Sequence, residues 1–205
     1  MGPWMTDLMR SRFLVVDDDV AVRRAIARIV RRHGESVAAA TLQDAVAILR
    51  DGSVWTGFVF DVQLPDGSGL DLLAQARAAH PMTPAMVLTG NMEKSVVNAA
   101  YDLRARCVIK PVVTERIEQF LRDAVSLDRR VGRSLEEWVW RYGLSEAEAN
   151  LLRRAALGES KGTIAARRDT SKETIRKQVA SLLAKTGDDS LQGAANRVLR
   201  DVARA

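Results

Sequence analysis

Short apolar runs alternate with helix-patterned stretches from Ser11 to about Leu127, and the alternation stops at Asp128. Phe13–Val16, Ser36–Ala40, Phe58–Phe60, Ala85–Leu88 and Cys107–Ile109 each have strand length. Their apolarity is continuous rather than alternating, the pattern of strands covered on both faces, as in a parallel sheet. The Ala-rich run 36–40 carries this signal most weakly. Between the runs, periodicity predicts helices over 20–33, 42–50, 69–79, 92–102 and 114–127. The first places Ala25, Ile26, Ile29 and Val30 at core-facing spacing, with Asp19 as N-cap. Five β–α units over 11–127 predict an α/β domain. Its five-stranded parallel sheet is doubly wound, with right-handed crossovers.

No strand-like run follows Asp128. Residues 129–133 read as a linker and Ser134–Tyr142 as a short helix, so that 128–143 connects two domains. Trp138 and Trp140 on that helix fit a contact with the first domain or a contact between two copies. Helices are predicted at 145–157, 160–168, 171–186 and 189–203. Ser145, Ser160, Ser171 and Asp189 start them; Gly158 and Gly187 act as stops. Residues 144–205 therefore form a small all-α domain.

Composition narrows the class. Apolar residues at 47% and charged residues at 28% are those of an ordinary folded chain. One cysteine, Cys107, leaves no internal disulfide and no four-Cys zinc site, and a small core residue is its simplest role. No apolar run approaches the ~20 residues that span a bilayer, and Met1–Arg12 has no signal-peptide core. Cytoplasmic placement without a membrane partner is the expectation. Residues 1–127 balance fifteen basic against fifteen acidic side chains, so the net +5 lies entirely in the last third. A polyanion partner would meet that part, although charge alone fits a merely solvated face equally well. No GxGxxG or phosphate loop occurs, and neither His33 nor His80 sits in a triad pattern, so a metabolic enzyme is not expected.

The ends of the apolar runs carry the chemistry. In open α/β sheets ligands bind beyond the carboxyl ends of the strands. There the chain places Asp17-Asp18-Asp19, Asp61, Thr89 and Lys110, after four different strands. Clustered carboxylates repel unless a cation sits among them, and hard oxygen ligands favour Mg²⁺. Lys110 and Thr89 add a positive charge and a donor for phosphoryl oxygens. Taken singly, Asp19 reads as a helix cap, Asp61 and Thr89-Gly90-Asn91 as turn residues, and Lys110 as a loop lysine. Four such coincidences at four strand ends favour one site that accepts a phosphoryl group on a carboxylate.

These motifs identify a resemblance. Val15-Val16-Asp17-Asp18-Asp19, the stretch Phe60–Gly69, Leu88-Thr89-Gly90 and Ile109-Lys110-Pro111 resemble the receiver domain of two-component response regulators, a flavodoxin-like fold. The resemblance implies that a histidine kinase phosphorylates Asp61, a transfer the receiver itself catalyses. It implies Mg²⁺ on Asp17, Asp18, Asp61 and the backbone carbonyl of Gln63. Thr89 and Lys110 would hold the phosphoryl group, and Gln63 and Asn91 would set its lifetime. Gly90 would leave room for the modified side chain, and the Lys110–Pro111 bond would be cis. Cys107 stands where the family usually carries an aromatic residue that turns inward on activation. Tyr101, in the preceding helix, is a possible but not equivalent substitute.

In the second domain, 160–168 and 171–186 pattern as a helix-turn-helix with Asp169-Thr170 in the turn and a basic, hydroxyl-rich second helix. Residues 144–148, 161–165 and 171–179 resemble the LuxR-type (NarL/FixJ) DNA-binding domain. That implies base contacts from Arg176 and Lys177, with Ala180 one turn on. It implies phosphate contacts from Lys161, Thr163, Ser171, Lys172, Thr174 and Lys185, and a last helix that pairs two copies on double-stranded DNA. Arg168 and Thr170 depart from apolar family positions, and Thr186 from a frequent Leu. Together the domains imply a regulator that dimerises and binds DNA when Asp61 is phosphorylated. The alternative is a phosphorylation-independent regulator or protein-interaction switch with a receiver fold.

Overall fold

Residues 11–91, 93–167 and 170–204 are described by a computed structural model. They divide into one unit of Ser11–Val125 and another from Ser126 onward.

In the first unit each apolar run has become a strand. These are β1 (Arg12–Val16), β2 (Glu35–Ala39), β3 (Gly57–Asp61), β6 (Ala85–Thr89) and β7 (Ala105–Ile109). They form one parallel sheet in the order β2-β1-β3-β6-β7. The three inner strands are buried almost throughout, as continuous apolarity requires. The edge strands β2 and β7 are only half-covered, which explains the weak apolar signal of the Ala-rich run.

Helices α1 (Val20–Val30), α2 (Leu42–Leu49), α3 (Gly69–Ala79) and α4 (Lys94–Asp102) connect the strands. Ala27, not Ala25, completes the buried face of α1. The predicted start of α4 at residue 92 moves to Lys94, with Glu93 as N-cap; Met92 lies outside the described residues. One core lies on each side of the sheet. Leu14, Phe58, Phe60 and Leu73 belong to one, and Phe13, Val15, Met86 and Phe120 to the other. A two-residue hairpin, β4 (Gln63–Leu64) with β5 (Gly67–Ser68), follows β3 and was not visible as a pattern.

The helix predicted over 114–127 does not end there. α5 runs unbroken from Thr114 to Tyr142 through the segment read as a linker. Ile117, Phe120, Leu121 and Ala124 enter a core of the first unit, and Val131, Leu135 and Trp138 continue the stripe into the core of the second. Gly132 lowers helix propensity by about 1 kcal/mol but breaks nothing, and no proline intervenes. Within the second unit, Asp128 of α5 pairs with Arg153 at 2.6 Å, both nearly buried. That pairing draws Asp128 into the unit, while its neighbours Arg129 and Arg130 stay exposed.

The second unit continues with α6 (Glu146–Ala156), α7 (Lys161–Arg167), α8 (Lys172–Thr186) and α9 (Leu191–Arg204). Ser145 and Glu148 form a reciprocal capping box at the start of α6. Ser171 caps α8, and Gly187 ends it with φ +72°. Ser190, rather than Asp189, caps α9 through the Gly193 amide. Trp138 is buried within this unit's core, donates to Asp201 at 3.0 Å and lies under the Arg197 guanidinium. Trp140 is 85% exposed. α9 spends its apolar stripe, Leu191, Ala194, Ala195, Val198 and Val202, on this same core.

Candidate functional site

The strand ends of the first unit bring the predicted acidic cluster together. β1 runs directly into Asp17, which is fully buried, and β3 ends on Asp61, which is nearly so. Asp17 accepts the Asp19 amide at 3.0 Å. Asp19 turns away to accept the Ala21 and Val22 amides, so its role is the helix cap. Asp18 is exposed at the rim of the cluster. One carboxylate oxygen from each of Asp17, Asp18 and Asp61 lies within 4.8 Å of the others.

Lys110, just after β7, answers this charge. Its Nζ donates to Asp17 Oδ2 at 2.9 Å and Asp61 Oδ2 at 2.8 Å. Burial raises the Asp17 carboxyl above its ordinary range, against the pull of Lys110. Burial also works against the Lys110 ammonium. Its bonds to Asp61 and Asp17 outweigh that and hold it above the usual lysine value. One ammonium against three carboxylates leaves an excess of negative charge. Three oxygens at this spacing are a donor set that fits a hard divalent cation such as Mg²⁺.

The remaining predicted residues border this cluster. Thr89 ends β6; its hydroxyl donates to the Asn91 carbonyl at 2.7 Å and accepts the Asn91 amide at 3.2 Å. The Gln63 amide reaches Asp61 Oδ1 at 3.4 Å. Lys110–Pro111 is cis. Space beside Gly90 is open: a Cβ there would meet nothing within 4 Å. Gly69 has the opposite constraint, because a Cβ would stand 1.8 Å from the Asp61 carbonyl oxygen. Cys107 is half-buried against the core, and burial pushes its thiol up, as befits a small packing residue. Tyr101 points outward at 81% exposure and does not take the inward place of the missing aromatic.

Two residues of this site went unnoticed in the sequence. Arg23, one turn into α1, donates to the carbonyls of Asp17 at 2.5 Å and Asp18 at 3.1 Å, holding the acidic loop by its backbone. Asp66, in the hairpin turn, accepts the amides of Leu42 and Gln43 at the start of α2. A basic residue one turn after an Asp-Asp pair could have flagged the first. Nothing local signals the second, whose partners lie more than twenty residues away.

In the second unit α7 and α8 stand as a helix pair separated by four residues; Arg168 and Asp169 of that turn lie outside the described residues. Lys161, Lys172 and Arg176 rim an open groove of about 390 Å³ floored by Ala165, Val179 and Leu183. Arg176 and Lys177 are exposed, and Glu173 lies 3.7 Å from Arg176. Ser171 and Thr174 share a hydroxyl contact at the N-terminus of α8, and Ser160 and Thr163 do so at that of α7. Lys185 has a partner inside the unit: its Nζ donates to Glu148 at 2.7 Å and to the Gly143 carbonyl at 3.0 Å. Glu148 is also bonded by Ser181 and the Ser145 amide. Burial opposes its charge, but these bonds with Lys185 bring its carboxyl down to about 2.

Comparison with known proteins agrees with the first unit. Residues 13–122 match the response regulator receiver domain. The C4-dicarboxylate transport transcriptional regulatory protein DctD of Pseudomonas aeruginosa is 28% identical over 215 residues, covering 100% of this chain and 42% of that protein. The transcriptional regulatory protein ZraR of Salmonella typhimurium is 31% identical over 126 residues, covering 60% and 28% respectively. The cell cycle transcriptional regulator CtrA of Caulobacter vibrioides is 28% identical over 116 residues, covering 54% and 50%. The chain thus spans half or less of the length of these relatives. A CheY-like receiver from Methanospirillum hungatei superposes with a TM-score of 0.54 at 24% identity, covering 59% of this chain and 98% of that one. That likeness is one of fold. Among the described residues no helix is long and apolar enough to cross a membrane.

Proposed function

The chain belongs to the response regulator receiver domain family, and from that membership we propose that it is a DNA-binding regulator switched by phosphorylation of Asp61. The observation that carries the reading is Lys110 Nζ, shared between Asp61 and Asp17 beside the third carboxylate of Asp18. The donor is a phosphohistidine on a partner histidine kinase. An Asp61 carboxylate oxygen attacks phosphorus and the P–N bond breaks. Its electron pair returns to the imidazole nitrogen, which takes a proton from solvent. Lys110 pivots from carboxylate to phosphoryl oxygen, and the Thr89 hydroxyl exchanges the Asn91 carbonyl for the same group. Asp17, Asp18, Asp61 and the Gln63 carbonyl would hold Mg²⁺, which when bound neutralises charge on the transferring oxygens. Gln63 and Asn91 border the path of a hydrolytic water and so set how long the phosphoryl group lasts. In this reading the receiver itself catalyses the transfer and the later hydrolysis of the aspartyl phosphate.

The output lies in α7 and α8, a helix-turn-helix of LuxR type in this reading. Arg176 and Lys177 face bases, and Lys161, Thr163, Ser171, Lys172 and Thr174 face phosphates. Lys185 serves mainly to hold α8 to α6, since its ammonium is already engaged. Two copies bind half-sites about one helical turn apart.

The test is phosphorylation of the full chain by acetyl phosphate and Mg²⁺, read by intact mass, followed by retention of promoter DNA at several salt concentrations. The expected result is one added phosphoryl group, absent in Asp61→Asn, and tighter DNA binding on phosphorylation. A phosphorylated chain whose DNA affinity does not change would favour the phosphorylation-independent regulator.

A further inference from the structure

We propose that Asp66 is a positioning residue of the phosphoacceptor site. By clamping the β4–β5 hairpin to the first turn of α2, it sets where Gln63 stands beside Asp61. This rests on the phosphoacceptor reading of Asp61.

The chain leaves β3 at Asp61 and turns at once through the hairpin, where Gln63 pairs with Ser68. The base of the hairpin is well fixed. The Val62 amide donates to Leu88 at 2.8 Å, the Gly69 amide to Val62 at 2.9 Å, and Ser68 caps α3. A two-residue ladder does not by itself define where its tip lies. Two contacts supply that position. Leu64 is buried in the core, and the Asp66 carboxylate spans two backbone donors of α2.

The second contact has a specific division of labour. Thr41, the N-cap of α2, takes the Asp44 amide at 3.1 Å. Asp66 takes the two amides that remain nearest the end, Leu42 through Oδ1 at 2.8 Å and Gln43 through Oδ2 at 2.9 Å. Each oxygen has its own donor, so only a carboxylate satisfies both; an amide side chain would present one acceptor and one clashing NH₂. The two bonds hold the Asp66 carboxyl below its usual range, so the clamp is charged at neutral pH. The fit is close, since a Cβ on Gly67 would lie 3.0 Å from Leu42 Cδ1. The helix that Asp66 grips thereby becomes the abutment for the loop carrying Gln63. Releasing it lets Gln63 drift relative to Asp61, while Asp17, Asp18, Asp61, Thr89 and Lys110 keep their own supports.

Full-length wild type, Asp66→Ala, Asp66→Asn and Thr41→Ala test this. Mg²⁺ alone is titrated calorimetrically, and the acyl phosphate formed with acetyl phosphate is followed as it decays. Thr41→Ala weakens the same helix end without touching the hairpin. Asp66→Ala should weaken Mg²⁺ binding on the order of tenfold, the usual cost of losing a group that orients a ligand. It should also change the acyl-phosphate lifetime, with Asp66→Asn between it and wild type and Thr41→Ala unchanged. If Asp66→Ala does not fold, Asp66→Asn against Thr41→Ala makes the same comparison. Equal Mg²⁺ affinities and lifetimes in wild type and the Asp66 variants overturn the inference, as does an equal effect of Thr41→Ala. A wild-type chain that binds Mg²⁺ but forms no acyl phosphate from acetyl phosphate overturns the reading of Asp61 instead.

Discussion

Lys110 Nζ lies 2.8 Å from Asp61 Oδ2 and is shared with Asp17, so neither carboxylate has a cation to itself. With Asp18 close by, the site carries a surplus of negative charge that destabilises the receiver unless a cation joins it. Relieving one like-charge contact is worth about 1 kcal/mol, or roughly 2–4 °C for a chain of this size. Asp18→Asn should therefore raise the melting temperature in EDTA. Wild type should gain stability on adding Mg²⁺, and the variant should gain little. Thermal unfolding with and without Mg²⁺ measures both. A melting temperature lowered by Asp18→Asn would show that the carboxylate is satisfied in the metal-free fold.

The second unit should lose stability in acid through Glu148. Its carboxyl sits at about 2 in the fold against an ordinary 4.5, so the folded state binds its proton less readily than the unfolded chain. A depressed value stabilises the fold above the unfolded value, and that stability is lost as pH falls through the folded one. The window is therefore from about pH 4.5 down to about pH 2, and the full effect is about 3 kcal/mol. Urea unfolding at stepped pH should show this slope in wild type. Glu148→Gln should be less stable at neutral pH and flatter across the window. An unchanged slope in the variant would place the acid sensitivity elsewhere.

Arg77 fastens the turns on the far edge of the receiver. Its guanidinium donates to the carbonyls of Leu103, His80, Thr83 and Arg104, which end α3 and α4 and close the loop before β6. Arg77→Met keeps the stem but strands several partly buried acceptors, each worth about 1 kcal/mol or more. A loss of about 3 kcal/mol in urea unfolding is expected, and Arg77→Lys should restore little, because an ammonium cannot span that fork. Full rescue by lysine would mean that charge at the helix ends, not geometry, is what matters.

Much of this architecture is legible because local chemistry and global burial agree. β1, β3 and β6 sit mid-sheet, so continuous apolarity announces them, and Asp17, Asp61, Thr89 and Lys110 follow from where strands stop. Caps at Asp19, Ser145 and Ser171 are equally local. What escaped depends on distant partners. Arg129–Arg133 reads as a linker until Val131 and Leu135 find their core and Asp128 finds Arg153. Lys185 is expected on a DNA phosphate, and its internal partner Glu148, thirty-seven residues earlier, is not signalled locally. Asp66 carries no signal of its role until α2 supplies its amides.

The helix pair α7–α8 makes a final prediction that separates two kinds of cation. Arg176 is exposed on α8 and, among the described residues, its ion pair is the long 3.7 Å contact to Glu173, which suits it to read a base edge. Lys161 and Lys172 stand at helix starts, where hydroxyls and free amides also gather, and suit phosphates. Arg176→Ala should cost about 1–3 kcal/mol on a selected operator and narrow the gap between that operator and unrelated DNA. Lys161→Ala should weaken both kinds of DNA alike and reduce the slope of log affinity against log salt by about one unit. Salt titrations on operator and unrelated duplexes distinguish the two signatures. If both variants change affinity and salt slope alike, with no loss of discrimination, α8 contributes charge rather than base recognition.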